Sequence, residues 1–165
     1  MRKTLATVIG AVSAIAVLGG TAVAGASARP AASGTEHFQI MRTSATASSA
    51  SIIGYGLFTQ GGTSTGVSGS GSKSTVTFPN GTFVITHSGT STQHFNPKTC
   101  LLQVSGTGTY TLGSGTGAYA HLSGSGTYKL SILAVGAKSG GTCSKTLPPT
   151  SFQQVISASG PATLS

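Results

Sequence analysis

Seven side chains in this sequence are of types that do chemistry: His37, His87, His94, His121, Cys100, Cys143 and Glu36. There is no Asp. A zinc centre wants three or four ligands drawn from Cys, His, Asp and Glu. His87 and His94 are close in sequence, but no carboxylate is placed to complete a set, so no metal is expected. Nucleophilic catalysis wants a Ser or Cys paired with a base and an orienting acid. Ser is abundant, yet no nucleophile elbow is present. Acid–base chemistry would rest on a histidine alone, and His87 and His94 are its weak candidates. Glu36 and His37 are chain neighbours, and on a strand neighbours point to opposite faces. That predicts a solvated edge pair, or an ion pair on Glu36's face with Arg42 or a nearby Lys, rather than a site. His121 is expected to face water.

The glycines raise a second possibility. Gly106-Thr-Gly-Thr-Tyr110 recurs as Gly115-Thr-Gly-Ala-Tyr119 and as Gly124-Ser-Gly-Thr-Tyr128, with starts nine residues apart. Calcium-binding β-helix repeats share this period but need an Asp in each copy. A phosphate-binding loop needs a strand-to-helix turn, usually followed by Lys-Ser/Thr, and neither is present. No cofactor is therefore expected. The remaining use is mechanical: glycine pairs on an inward face allow a sheet to coil tightly.

The elements support that use. Gly, Ser and Thr dominate, and all three disfavour helix interiors. Apolar residues recur at period two, as Phe83 and Ile85 do within Thr82–Thr86. Phe78-Pro-Asn-Gly81 between two such runs is a hairpin signal. Strands are expected over 35–43, 49–59, 63–70, 73–78, 82–87, 90–96, 100–112, 122–135 and 151–158, with a long loop over 136–149. Two segments, Val104–Leu112 and Leu122–Leu130, match at six of nine positions. Their even-numbered residues form one apolar face interrupted by Gly106, Gly108, Gly124 and Gly126. Tyr110 and Tyr128 are placed to cover the partner strand's glycines. Gly115 and Gly117 fall in the connection between the two strands and serve turn geometry. Short strands at this spacing indicate a barrel, with a β-sandwich as the alternative.

Location and charge bound the partners. Arg2 and Lys3, then the apolar run Leu5–Leu18, then A-x-A sites ending at Ala24, Ala26 and Ala28, form a secretory signal pattern. It predicts a signal peptide over 1–28 and a single exported domain over 29–165. No later run is long and apolar enough to span a bilayer. An even cysteine count in an exported chain predicts a Cys100–Cys143 disulfide. Residues 29–165 carry seven basic residues against Glu36 alone, hence +6. The basic residues are scattered singly, which argues against nucleic acid. A diffuse positive field favours loose contact with anionic cell-wall polymers.

The run Cys100-Leu-Leu-Gln-Val-Ser-Gly-Thr-Gly-Thr-Tyr110 through Tyr128 resembles the core of the allene oxide cyclase barrel-like proteins. These include plant dirigent proteins and many secreted bacterial proteins. The resemblance is carried by Gly115, Thr116, Gly117, Tyr119, Gly124 and Gly126 and covers roughly residues 95–135. It implies a closed, antiparallel eight-stranded barrel with an apolar interior, in a family whose plant members are often homo-oligomers. It does not imply catalysis, because the acidic residues those proteins use have no counterparts at matching positions. A barrel lined by Tyr55, Phe58, Phe83, Ile85, Leu102, Tyr110, Tyr128 and Ile132 suits a small hydrophobic or aromatic ligand. A non-catalytic binder or carrier is the leading expectation. An isomerase or cyclase and a structural cell-surface protein are the alternatives.

Overall fold

A computed structural model describes residues 31–66 and 73–165. The expected signal peptide, its three cleavage sites and the end of the strand expected over 63–70 lie outside these residues. Ten strands follow one another: β1 (Ala32–Arg42), β2 (Ser49–Tyr55), β3 (Gln60–Thr65), β4 (Lys73–Phe78), β5 (Gly81–Asn96), β6 (Leu101–Gly113), β7 (Ser123–Val135), the short β8 (Lys138–Ser139) and β9 (Thr142–Cys143), and β10 (Ser151–Leu164). Eight of them close into an antiparallel barrel in the order β1-β10-β7-β6-β5-β4-β3-β2. Closure removes the β-sandwich alternative. The break expected at Ser88-Gly-Thr90 does not occur. Gly89 stays in the ladder opposite Gly108, so two expected segments form the single strand β5.

The register sets the shape. From Met41, pairing through Ser51, Thr63 and Thr77 reaches Thr82 on β5. From Met41 the other way, through Val155, Ser131 and Ser105, it reaches Thr92. The stagger around the barrel is the difference between positions 92 and 82, or ten residues. For eight strands such a stagger tilts them by roughly 40° and leaves an interior that side chains fill or that holds one small ligand.

Paired glycines make the tight coil possible. Gly108 lies opposite Tyr128, and Gly126 opposite Tyr110. A Cβ at Gly108 would collide with the Ser88 carbonyl oxygen and stand 2.6 Å from Tyr128 Cε1. A Cβ at Gly126 would collide with the Ser159 carbonyl oxygen and stand 2.8 Å from Tyr110 Cε1. Each tyrosine ring occupies the space that the facing glycine leaves empty.

One end of the barrel is plugged by aromatic rings. The β6–β7 connection folds under it through a single 3₁₀ turn, Gly117–Tyr119. Thr116 anchors this connection: its amide donates to the Thr82 carbonyl at 2.8 Å, and its hydroxyl accepts from the Thr82 amide at 3.0 Å. Tyr119 then packs 5.2 Å from Phe58, 5.7 Å from Phe78 and 5.5 Å from Phe83, between ring centroids. At the other end the β7–β10 connection carries the β8–β9 hairpin. The Cys100–Cys143 disulfide ties it to the start of β6 across 43 residues, a loop whose closure contributes about 3–4 kcal/mol.

Candidate functional site

Inside the barrel, above the aromatic plug, lies a cavity of about 160 Å³. Its apolar wall includes Phe38, Ile40, Ile85, Leu130 and Ile156, and its polar wall is Ser74, His87, Tyr110, Tyr128 and Gln154. Alternation places them: on β1, Phe38 and Ile40 point inward, and on β6 and β7 the even-numbered residues do. Two of the polar groups lack partners. The Tyr110 hydroxyl and the Gln154 side-chain oxygen are buried, and neither makes a hydrogen bond. Such groups are costly unless something pairs with them.

The expected liners divide into four sets. Ile85, Tyr110 and Tyr128 face the cavity. Phe58 and Phe83 belong to the plug beneath it, 6.4 Å apart between centroids. Leu102 and Ile132 share the inward parity but are only partly buried and stand outside the cavity lining. Tyr55 is on the outer surface, 48% exposed, with its ring stacked 4.9 Å from His37. The odd-numbered residues of β2 face out, so Tyr55 is not an interior residue.

The two histidines separate as well. His87 lines the cavity, its ring 6.0 Å from that of Tyr128. His94 is seven residues further along the same strand, exposed and of opposite parity. The fold has no turn between them, so it does not bring them together. No group of three or more His, Cys, Asp or Glu side chains that could hold a metal comes together among the described residues.

The expectation for Glu36 is overturned. It is fully buried, not solvated. The inward face of β1 reads Glu36, Phe38, Ile40, Arg42, and closure onto β2 and β10 carries Glu36 inside with the rest. One carboxylate oxygen accepts from the Phe58 amide at 3.2 Å, and the other has no partner. Burial pushes its pKa up, and the Phe58 and Leu57 amides pull partly against that. The Tyr110 and Tyr119 phenols are also raised, first by burial and then by the Glu36 charge. The period-two run from Glu36 through Phe38 and Ile40 was the signal that could have shown this.

A pH dependence follows from the raised pKa. The folded protein binds the Glu36 proton more tightly than the unfolded chain does. Stability contributed by the protonated form is complete below the ordinary carboxylate value and is lost as pH rises through the folded value. Glu36→Gln removes that loss. Urea unfolding at pH 8 should show the variant gaining stability relative to the parent, compared with their difference at about pH 4. An offset between variant and parent that is the same at both pH values would mean that the carboxyl is not perturbed.

A larger hollow of about 520 Å³ lies on the outer wall over Gly106, edged by Thr90, Thr92, Ser105, Thr107, Lys129 and Ser131. None of its side chains is a buried polar group left without a partner, so it makes the weaker site. The fold and the interior together define a closed eight-stranded barrel with a small, polar-tipped apolar cavity. Compared with known proteins, no family model, no curated protein and no solved structure matches the chain.

Proposed function

We propose that the protein is a secreted, non-catalytic binder or carrier of a small hydrophobic or aromatic molecule held inside the barrel. The observation that carries this is the 160 Å³ cavity with the unpaired Tyr110 hydroxyl and Gln154 oxygen at its wall. An apolar cavity of about 150 Å³ is large enough to take up benzene, so the ligand is the size of one ring. Its apolar body meets Phe38, Ile85 and Leu130, and a polar tip meets Tyr110 or Gln154. The isomerase or cyclase alternative would rest on His87, which lines the cavity beside the Tyr128 ring.

Ring-sized probes test the reading. Phenol and benzene should each bind saturably, with phenol the tighter because it can pair with an unpaired wall group. Bound phenol should show NMR contacts to Ile85 and Leu130 methyls. Ala158 also lines the cavity, and Ala158→Phe should fill the space and abolish binding. Absence of saturable binding by either probe, or contacts elsewhere on the protein, overturns the reading without relying on the variant.

A further inference from the structure

The disulfide brings three lysines together. Lys98, Lys138 and Lys145 are spread along the sequence and read there as isolated charges. The Cys100–Cys143 bond joins the two connections that carry them. Lys98 stands two residues before Cys100 in the β5–β6 turn, and Lys145 two residues after Cys143 in the β7–β10 connection. Lys138 lies directly opposite Cys143 in the β8–β9 hairpin. Its Nζ donates to the Lys98 carbonyl at 3.3 Å. All three lysines are exposed.

No side chain of the protein neutralises them. The sequence contains one carboxylate side chain, Glu36, and no Asp. Glu36 is buried beside the plug, where it accepts from the Phe58 amide, and the disulfide is at the opposite end of the barrel. That end also carries exposed apolar side chains. Leu147, two residues beyond Lys145, is 52% exposed, and Phe95, Leu133 and Val135 are exposed at the ends of β5 and β7. Unneutralised lysines beside exposed apolar groups are the make-up of a surface that meets an anionic bilayer. The ammonium groups stay at the level of the lipid phosphates, and the apolar groups enter the boundary between headgroups and acyl chains. A water-soluble polyanion would meet the lysines but would give Leu147 and Phe95 nothing to bury against.

We propose that the disulfide-bearing end of the barrel is a docking surface for an anionic lipid bilayer, with Lys98, Lys138 and Lys145 as its electrostatic contacts and Leu147 as its leading apolar one. The connections at the plug end, 56–59, 79–80 and 114–122, contain no Lys or Arg. The positive field is therefore one-sided and turns the disulfide end towards a negative surface. The docking surface does not depend on whether the interior cavity binds a ligand.

The test uses vesicles of mixed phosphatidylglycerol and phosphatidylcholine against vesicles of phosphatidylcholine alone. The folded, disulfide-bonded protein should sediment with the mixed vesicles and not with the neutral ones. Added salt should weaken the association, because it screens the lysines. Lys98→Gln, Lys138→Gln and Lys145→Gln should each lower partitioning about fivefold. Leu147→Ser should also lower it, with the charge unchanged. On the parent protein, spin-labelled lipid headgroups should broaden the amide resonances of Lys138, Lys145 and Leu147 and spare those of Gly117 and Tyr119 at the plug end. That mapping stands if a variant fails to fold. No partitioning into the mixed vesicles, or broadening centred away from the disulfide end, overturns the proposal. So does binding to soluble polyphosphate that matches binding to the vesicles while Leu147→Ser changes neither, since the surface would then serve a polyanion and not a bilayer.

Discussion

Gly126→Val is expected to yield no folded barrel. The valine Cβ would enter the space of the Ser159 carbonyl oxygen on β10 and stand 2.8 Å from Tyr110 Cε1 on β6. A ring can turn aside, but a carbonyl held in the ladder moves only with its strand. In a closed barrel, a strand that shifts disturbs the register of both neighbours. The same reasoning applies to Gly108→Val, which meets the Ser88 carbonyl. The control is Gly61→Val, where a Cβ meets nothing within 4 Å; its effect should stay within about 0.5 kcal/mol. Circular dichroism and hydrogen exchange would separate the cases. A folded Gly126→Val protein would show that the strand spacing at this crease is softer than its geometry implies. The double change Gly126→Val with Tyr110→Ala should not recover folding, because the carbonyl, not the ring, is the obstacle.

Phe83→Ala should remove about 3–5 kcal/mol of stability, the range for deleting a buried aromatic ring. Phe83 has no exposed surface and is the hub of the plug. Its ring lies 5.9 Å from Phe38, 6.4 Å from Phe58, 5.8 Å from Phe78 and 5.5 Å from Tyr119. These tilted and edge-on arrangements add to the area the ring buries. Phe83→Leu retains most of the volume and should cost clearly less than Phe83→Ala in denaturant unfolding. Equal losses in the two variants would mean that ring geometry, not filling, dominates. The substitution also opens the plug towards the cavity, so the stability measurement should precede any binding measurement on this variant.

The pairs Gly108–Tyr128 and Gly126–Tyr110 explain why the repeat lies where it does. The first and third copies lie on adjacent strands, and each supplies both the vacancy and the ring that fills the other's vacancy. The middle copy has a separate task. Gly117 there has φ of +58°, and a Cβ on it would collide with the Asn80 carbonyl. That glycine lets the plug's connection lie against the β4–β5 turn. One string of residues thus serves two mechanical purposes, and none of its copies needs a metal or a phosphate to account for it.

Much of this was legible locally. The all-β class, the hairpin at Asn80-Gly81, the facing of β6 and β7 and the Cys100–Cys143 bond depend on the residues of a strand or turn, or on there being only two cysteines. Period two sorts side chains between two faces whatever the rest of the chain does. It does not state which face becomes the interior. For β2 the odd face became the outside, which put Tyr55 against His37 instead of in the cavity. For β1 the even face became the inside, which buried Glu36 and Arg42. Composition favours keeping charges in water, so nothing local places Glu36 inside. The joining of two expected segments into β5 likewise depended on β6, a strand long enough to pair with all of it.

By itself, then, the sequence determined the all-β class, the alternation of faces, the tight coil at the glycine pairs and the covalent link, because short-range sterics and chemistry govern each of them. Only the tertiary structure decided the ten-residue stagger, the size of the cavity and which polar groups are left inside without partners. Those follow from register between strands distant in the chain, where closing the last pair, β1 with β10, commits every face at once.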